Sequence, residues 1–353
     1  MSFVVKTEIM PIQHNQLTKT DRKAWKEFVS KHPDNTVFQS PEMYDFYEKV
    51  NRYTPHIFIG KDDKGIVRAV LLAVIIKEYS GWRGKLSSRT IVYGGPLLDR
   101  TFGGHLQMLK EMLQKISKTL GKKSVYIQYR NFIEWPESCR QVFDSCGYSF
   151  TDRLNLLVHT SGRTETEQAI SKSKRRQIKK GLADGCTIRP PRDEGEMRIF
   201  YQRIRELYQN RVRKPLPDYS FFEQFYRMSR EGKLGIVRLV VAGDEVIGGV
   251  MAPVTSGRNI YEWYVFGLDE QYKKKYPSVL ATWAPIDYAL ENELKHFDFM
   301  GLGTPLRPYG VRDFKLHFGK NTTNPGRFSK INNKALYFVT EISYNILRLF
   351  NKV

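Results

Sequence analysis

The sequence predicts an α/β (α+β) chain made of two similar domains in tandem, each a mixed central sheet flanked by helices. Three observations carry this. The chain has 353 residues, more than one hydrophobic core usually organises. A series of hairpin, strand, helix and strand occurs twice along it. From the hairpin turn to the next-to-last strand takes about 60 residues in each half, so a duplicated unit of about 150 residues explains the length better than one large fold.

The first half opens with an expected helix over Asp21 to Lys31 and a shorter one within FQSPEMYDFYEKV (Phe38 to Val50). PHIFIG and IVRAVLLAVIIKEY then read as two strands joined at Lys61 to Gly65, a turn whose Asp and Gly suit a hairpin. A third strand runs from Thr90 to Tyr93 and stops at Gly94-Gly95-Pro96. Apolar residues at 106, 109, 113, 116 and 120 place one stripe along a helix from His105 to Leu120, with Gly121 as its stop. The strand SVYIQY, a helix opened by Pro136 and a single closing strand over Phe150 to Val158 complete the half.

The second half repeats this order. LGIVRLVVA, the turn Gly243-Asp244-Glu245 and VIGGVMAPV form its hairpin; NIYEWYVFGLDE is its third strand; a helix runs from Pro277 to Lys295; HFDFMGL matches SVYIQY. The polar stretch from Thr160 to Thr166 is the expected join, giving domains over 1–160 and 161–353.

Composition narrows the function. Lys and Arg number 57 against 37 Asp and Glu, a formal charge of +20, which draws in polyanions such as nucleic acid, anionic headgroups or phosphate-bearing substrates. A basic surface kept for solubility is the plain alternative. Cys139, Cys146 and Cys186 make no CxxC pair, the N-terminus lacks a signal-peptide pattern, and the longest apolar run, Ala69 to Ile76, is too short to span a bilayer. A cytoplasmic protein, soluble or peripheral to the inner face of a membrane, is expected. No metal-ligand spacing, nucleophile elbow or Walker sequence occurs, and no bound cofactor or metal is expected.

Three segments carry candidate chemistry. Ser171 to Lys180 holds six basic residues in ten, with Lys172, Arg175, Arg176 and Lys179 on one helical face able to grip phosphates. Phe297 to Asn321 joins a strand, the turn glycines Gly301 and Gly303, and a cluster of Arg307, Arg312 and Lys315. A lysine there could stabilise the oxyanion of an acyl transfer, whereas the plain alternative makes Phe314 and Phe318 core residues and Lys315 a solvent-facing charge. Glu262 stands by position as a general base. The C-terminal stretch KALYFVTEISYNILRLFNKV has apolar helical spacing, suited to packing on the second domain or to an anionic membrane surface.

FQS at 38–40, SKSKRRQIKK, RVRKPLPDYSFF (Arg211 to Phe222), and above all FDFMG followed by GVRDFKLHFG resemble the Fem family, the aminoacyltransferases that build peptidoglycan cross-bridges. The resemblance covers nearly the whole chain. It implies two GNAT acetyltransferase-like halves and transfer of an aminoacyl group from aminoacyl-tRNA, or of another activated acyl group, to an amine of a phosphate-bearing cell-wall or envelope precursor. It also implies roles: Lys315 as electrostatic stabiliser with Phe314 as its packing neighbour, Lys49 and Arg211 on acceptor phosphates, and Asp99 on the acceptor or its amine. Arg312 and Tyr309, in the segment after the turn glycines, are further candidates for substrate binding. Asp99 reads equally well as a structural ion-pair member.

Two departures stand out. Only about 20 residues separate Arg211 from Gly232, too few for the coiled-coil arm of the bridge-extending glycyltransferases. Where an acetyltransferase would cradle the coenzyme A pyrophosphate at a glycine-rich helix start, the second half reads KKKYPSVL; the first half offers a partial match, Arg100 to His105. An acyl-CoA- or carrier-protein-dependent N-acyltransferase and a noncatalytic basic adaptor therefore stand as alternatives.

Overall fold

The computed structural model describes residues 8–12, 17–306 and 310–338. They divide into two compact units, the first reaching Asp152 and resuming at Pro325, the second comprising Arg153–Asn324. The first contains β1 (Glu8–Ile12), α1 (Lys19–Lys31), α2 (Pro41–Glu48), β2 (Tyr53–Lys61), β3 (Val67–Ile76), α3 (Gly81–Leu86), β4 (Arg89–Tyr93), β5 (Leu97–Leu98), α4 (His105–Leu120), β6 (Tyr126–Arg130), α5 (Glu137–Ser145) and β7 (Ser149–Thr151). The second contains β8 (Asn155–His159), α6 (Arg163–Ala169), α7 (Lys172–Ala183), β9 (Cys186–Arg189), α8 (Glu194–Leu207), α9 (Tyr219–Arg230), β10 (Gly235–Ala242), β11 (Glu245–Thr255), β12 (Asn259–Tyr261), β13 (Tyr264–Gly267), α10 (Pro277–Glu291), β14 (His296–Asp298), α11 (Gly310–Leu316) and β15 (Asn321–Thr323). The last strand, β16 (Arg327–Ile331), returns to the first unit.

Each unit is built on an eight-stranded mixed sheet. The first runs β1-β2-β3-β4-β6-β16-β7 with β5 on β3; the second runs β9-β10-β11-β12-β14-β8-β15 with β13 on β11. The two orders correspond strand for strand, and in both the parallel pair lies in the middle, β4 with β6 and β12 with β14. The duplication expected from the repeated series is thus the architecture itself.

Local sequence explains the main elements. From Ala69 to Ile76 every residue of β3 is buried, which is why that strand reads as a continuous apolar run rather than an alternation. Helix α4 buries Met108, Leu109, Met112, Leu113, Ile116 and Leu120 along one stripe. Each such side chain contributes about 1.5–3 kcal/mol through area removed from water. Helix α10 is buried nearly all round, Pro277 supplying its first turn. It lies so close to the sheet that a Cβ on Gly267 would stand 2.3 Å from the Ser278 nitrogen.

Two expectations are corrected. The single strand over Phe150 to Val158 is two strands in different sheets. β7 pairs with β16, whereas β8 pairs with β14 and β15. The chain therefore passes into the second unit after Asp152, ahead of the polar stretch at Thr160 to Thr166, and the segment from Pro325 belongs with the first unit. Likewise NIYEWYVFGLDE is two strands, β12 and β13, separated at Glu262 and Trp263. The expected C-terminal amphipathic helix lies almost entirely outside the described residues.

Candidate active site

The break between β12 and β13 creates the site. The long strand β11 carries both, pairing with β12 at Val254 and Thr255 and with β13 from Gly248 to Met251. β12 pairs with β14 up to Tyr261 opposite Asp298, and the Glu262 N–H extends the ladder by one bond to the Asp298 carbonyl at 2.9 Å. There the sheet parts. β13 stays with β11, while the chain after Asp298 follows β8, the Phe299 N–H donating to Leu156 and the Leu302 N–H to Leu154. The turn that makes this departure has φ of 54° at Met300 and 135° at Gly301, the latter a region that only glycine enters readily.

Four side chains from four segments meet at the fork. Glu262, Asp298 and Asn155 are buried, and Lys315 of α11 points inward with its side chain 12% exposed. The Lys315 ammonium lies 2.9 Å from Glu262 Oε1, donates to the Phe299 carbonyl at 2.9 Å and to the Gly301 carbonyl at 3.3 Å, and sits 4.9 Å from the centre of the Phe299 ring. An ammonium has three hydrogens, so these acceptors use all of them. The oxyanion contact that the resemblance implies for Lys315 requires it to exchange one.

Asp298 is the second carboxyl. Its Oδ1 accepts from Asn155 Nδ2 at 2.9 Å and from the Met300 N–H at 2.6 Å. Burial, helped by the Glu262 charge, outweighs the bonds from Asn155 and Met300 and the Lys315 charge and leaves the Asp298 carboxyl raised to about 6. Three buried acceptors in the cluster, Asp298 Oδ2, Glu262 Oε2 and Asn155 Oδ1, have no hydrogen-bond partner.

Arg312, one turn before Lys315, completes the grip on the turn. It donates to the Leu302 carbonyl at 2.9 Å, to Pro305 at 3.4 Å and to Thr304. The two cations of α11 therefore bind five carbonyls between Phe299 and Pro305, and Arg312 is committed to shaping the loop. Phe314 packs on the second-unit core, its ring 5.4 Å from that of Phe318 and 4.6 Å from Lys174 Nζ. Tyr309 and Arg307 lie outside the described residues.

The remaining candidates lie elsewhere. Arg211 is exposed in a π-helical turn, 3.4 Å from Glu270. Lys49 caps α2 in the first unit and is exposed. Asp99, also in the first unit, binds Arg68 at 2.8 Å and the Thr101 N–H and hydroxyl. Although burial works against it, the Thr101 and Arg68 contacts hold its carboxyl below the usual range, the behaviour of a structural ion-pair member.

On α7, Lys172, Arg176 and Lys179 are exposed, while Arg175 is half-buried with Nε lacking a partner. Lys174 turns onto Phe314, and burial lowers its pKa against the opposing influence of Asp269. The start of α10, where a pyrophosphate would be cradled in a coenzyme A enzyme, is filled by that same Asp269. Its carboxylate accepts from the Ser278 N–H at 3.3 Å and from the Ser278 hydroxyl, and Pro277 has no N–H to offer.

Sequence reasoning named Glu262 and Lys315 but missed Asp298 and Asn155. Asp298 stood in view inside FDFMG; Asn155 is 143 positions away from it, and only the pairing of β8 with β14 brings them together.

Residues 169–316 match the family described as acetyltransferase (GNAT) domain. The second unit thus carries an acyltransferase domain. Among solved structures, FemX aligns over 95% of this chain and 100% of its own with a TM-score of 0.69 and 15% identity. A tandem GNAT protein from the clavulanic acid biosynthesis pathway aligns over 93% and 99%, with a TM-score of 0.55 and 10% identity. The C-terminal domain of a putative lysylphosphatidylglycerol synthetase from Agrobacterium fabrum aligns over 93% and 96%, with a TM-score of 0.54 and 12% identity. These likenesses establish a tandem GNAT fold. A search of curated proteins by sequence finds no match. Among the described residues no helix is long and apolar enough to cross a membrane, and no group of three or more His, Cys, Asp or Glu is placed to hold a metal.

Proposed function

We propose that the protein is an N-acyltransferase that moves an aminoacyl group from aminoacyl-tRNA to a primary amine of a phosphate-bearing cell-envelope precursor. The observation that carries this reading is the fork in the second sheet, with Glu262 and Lys315 at its apex inside an acetyltransferase (GNAT) domain. The amine nitrogen attacks the acyl carbon, the C–N bond forms, the ester C–O bond to the donor breaks, and the nitrogen gives up a proton to a carboxylate at the fork.

The choice of donor rests on charge and on one capped helix. The exposed lysines and arginine of α7 suit a nucleic-acid backbone, and Asp269 stands where the pyrophosphate of coenzyme A would bind. The choice of acceptor is supported by the whole-chain likeness to FemX and by the likeness to the putative lysylphosphatidylglycerol synthetase domain. Action at the inner face of the membrane follows if that precursor is lipid-linked.

The deciding assay incubates the purified chain with an envelope-precursor extract and either labelled aminoacyl-tRNA or labelled acyl-CoA. Label moving from the RNA into an amide supports the proposal. Label moving only from acyl-CoA replaces the donor, and movement of neither by a folded protein points to a noncatalytic adaptor.

A further inference from the structure

The fork has a counterpart in the first sheet, and there the charge is reversed. Tyr93 of β4 stands beside Arg130 of β6 as Tyr261 stands beside Asp298, and the Gly94 N–H donates to the Arg130 carbonyl at 2.9 Å as the Glu262 N–H does to that of Asp298. Arginine thus takes the place of Asp298, and glycine that of Glu262. Gly94 has φ of 60°, and a Cβ on it would stand 2.5 Å from the Phe132 ring, so this rung accommodates no carboxylate side chain.

On the other side of Arg130, β16 places Arg327 directly opposite it, and both residues are half-buried. Arg130 Nε at 3.1 Å and Arg327 Nη1 at 3.5 Å donate to the same atom, Gln128 Oε1, while the Gln128 amide nitrogen donates to Ser329 Oγ at 3.2 Å. Two guanidinium groups therefore converge on one neutral oxygen, and like charges facing each other across a ladder are destabilising. Arg130 Nη1 also donates to Tyr93 Oη at 2.9 Å. A guanidinium has five N–H groups; the other three of Arg130 meet no acceptor, and its charge meets no carboxylate, among the described residues. Arg89, four residues before Tyr93 on the same strand, is by contrast matched by Glu78. What Arg130 lacks is an anion, and an oxyanion suits it because the guanidinium fork offers parallel N–H bonds to two oxygens at once.

We infer that Arg130 and Arg327 form a binding site for one oxyanion, the phosphate or carboxylate group of a ligand, on the face of the first sheet. The anion lies against both guanidinium groups, offsets the repulsion between them, and engages the N–H groups of Arg130 that Gln128 and Tyr93 leave unused. Duplication has then produced two forks of opposite charge, one holding carboxylates and the other a pair of cations that holds an anion. The site needs neither donor nor turnover, so it stands whether or not the transferase reading does.

The test is nuclear magnetic resonance of the full chain carrying isotope-labelled arginine, with the Nε–H signals of Arg130 and Arg327 identified by their absence from Arg130→Gln and Arg327→Gln. Inorganic phosphate and acetate are each titrated in place of chloride at constant ionic strength and pH. Both signals should shift together and saturate at a common midpoint. Saturation at lower phosphate than acetate assigns a phosphate ligand, and the reverse order a carboxylate. Read on the Arg327 signal, affinity should fall about tenfold in Arg130→Gln, the loss of a charge-assisted hydrogen bond. Shifts that stay linear with both anions in the wild type overturn the site, a result that depends on no variant. A saturating Arg327 response that Arg130→Gln leaves intact overturns the pairing of the two arginines.

Discussion

Lys315 Nζ and Glu262 Oε1 lie 2.9 Å apart at the point where the second sheet divides, with side chains 12% and 4% exposed. Removing one partner of such a pair leaves a buried charge uncompensated, which typically costs about 3–5 kcal/mol. Lys315→Met is expected to destabilise the protein by about that amount in chemical denaturation. Adding Glu262→Gln should recover part of the loss, so that the double variant is more stable than the sum of the single effects requires. Strict additivity would show that the two groups do not depend on each other.

Asp298 sets a pH dependence of stability with a definite sign. Its carboxyl titrates at about 6 in the fold against 3.8 in the absence of the fold. The folded state binds this proton more tightly, so the contribution is fully present below pH ~4 and is lost as pH rises through about 6; above that, the ionised group costs on the order of 3 kcal/mol. Asp298→Asn should therefore be more stable than wild type at neutral pH and show a flatter stability profile between about pH 4 and pH 7. An unchanged wild-type slope in this variant contradicts the assignment.

Arg312 is expected to matter through the loop it holds. Arg312→Ala strips donors from the carbonyls of Leu302, Thr304 and Pro305, and a loss of about 1–3 kcal/mol follows from leaving such acceptors unpaired. Hydrogen exchange should quicken at Leu302 and its neighbours while the hairpin of β10 and β11 stays protected. A uniform change across the second unit would assign Arg312 a global rather than a local role.

Lys172, Arg176 and Lys179 are exposed on α7, so their replacement by glutamine should leave thermal stability within about 0.5 kcal/mol. Binding of tRNA should weaken, and the slope of log affinity against log salt should fall by about one for each phosphate that the variant no longer neutralises. Affinity and slope both at wild-type values would remove α7 from the donor surface.

Much of the fold was legible because its signals are local. The apolar run of β3, the stripe of α4 and the two hairpin turns announce themselves within short windows, and their recurrence reveals the duplication. The interruption at Glu262 and Trp263 was not legible. It lies among β-forming residues, and it exists because β11 is long enough to serve two partners while β14 draws only β12 alongside. The site divided in the same way. A lysine beside paired glycines draws attention by composition, whereas an aspartate on a short strand becomes distinctive only when Asn155 and Glu262 close over it, an arrangement that depends on sheet order rather than spacing.

The position of β16 has a consequence for how the chain is made. A ribosome that has finished β7 has released almost the whole first unit, yet the strand that lies between β6 and β7 is encoded after Asn324. The edge of β6 must wait, unpaired, through the synthesis of 172 further residues, Arg153–Asn324. An exposed strand edge is a template for wrong partners, so the nascent first unit is a candidate client for chaperones, and cutting the gene near residue 160 leaves its sheet open rather than yielding a self-sufficient half.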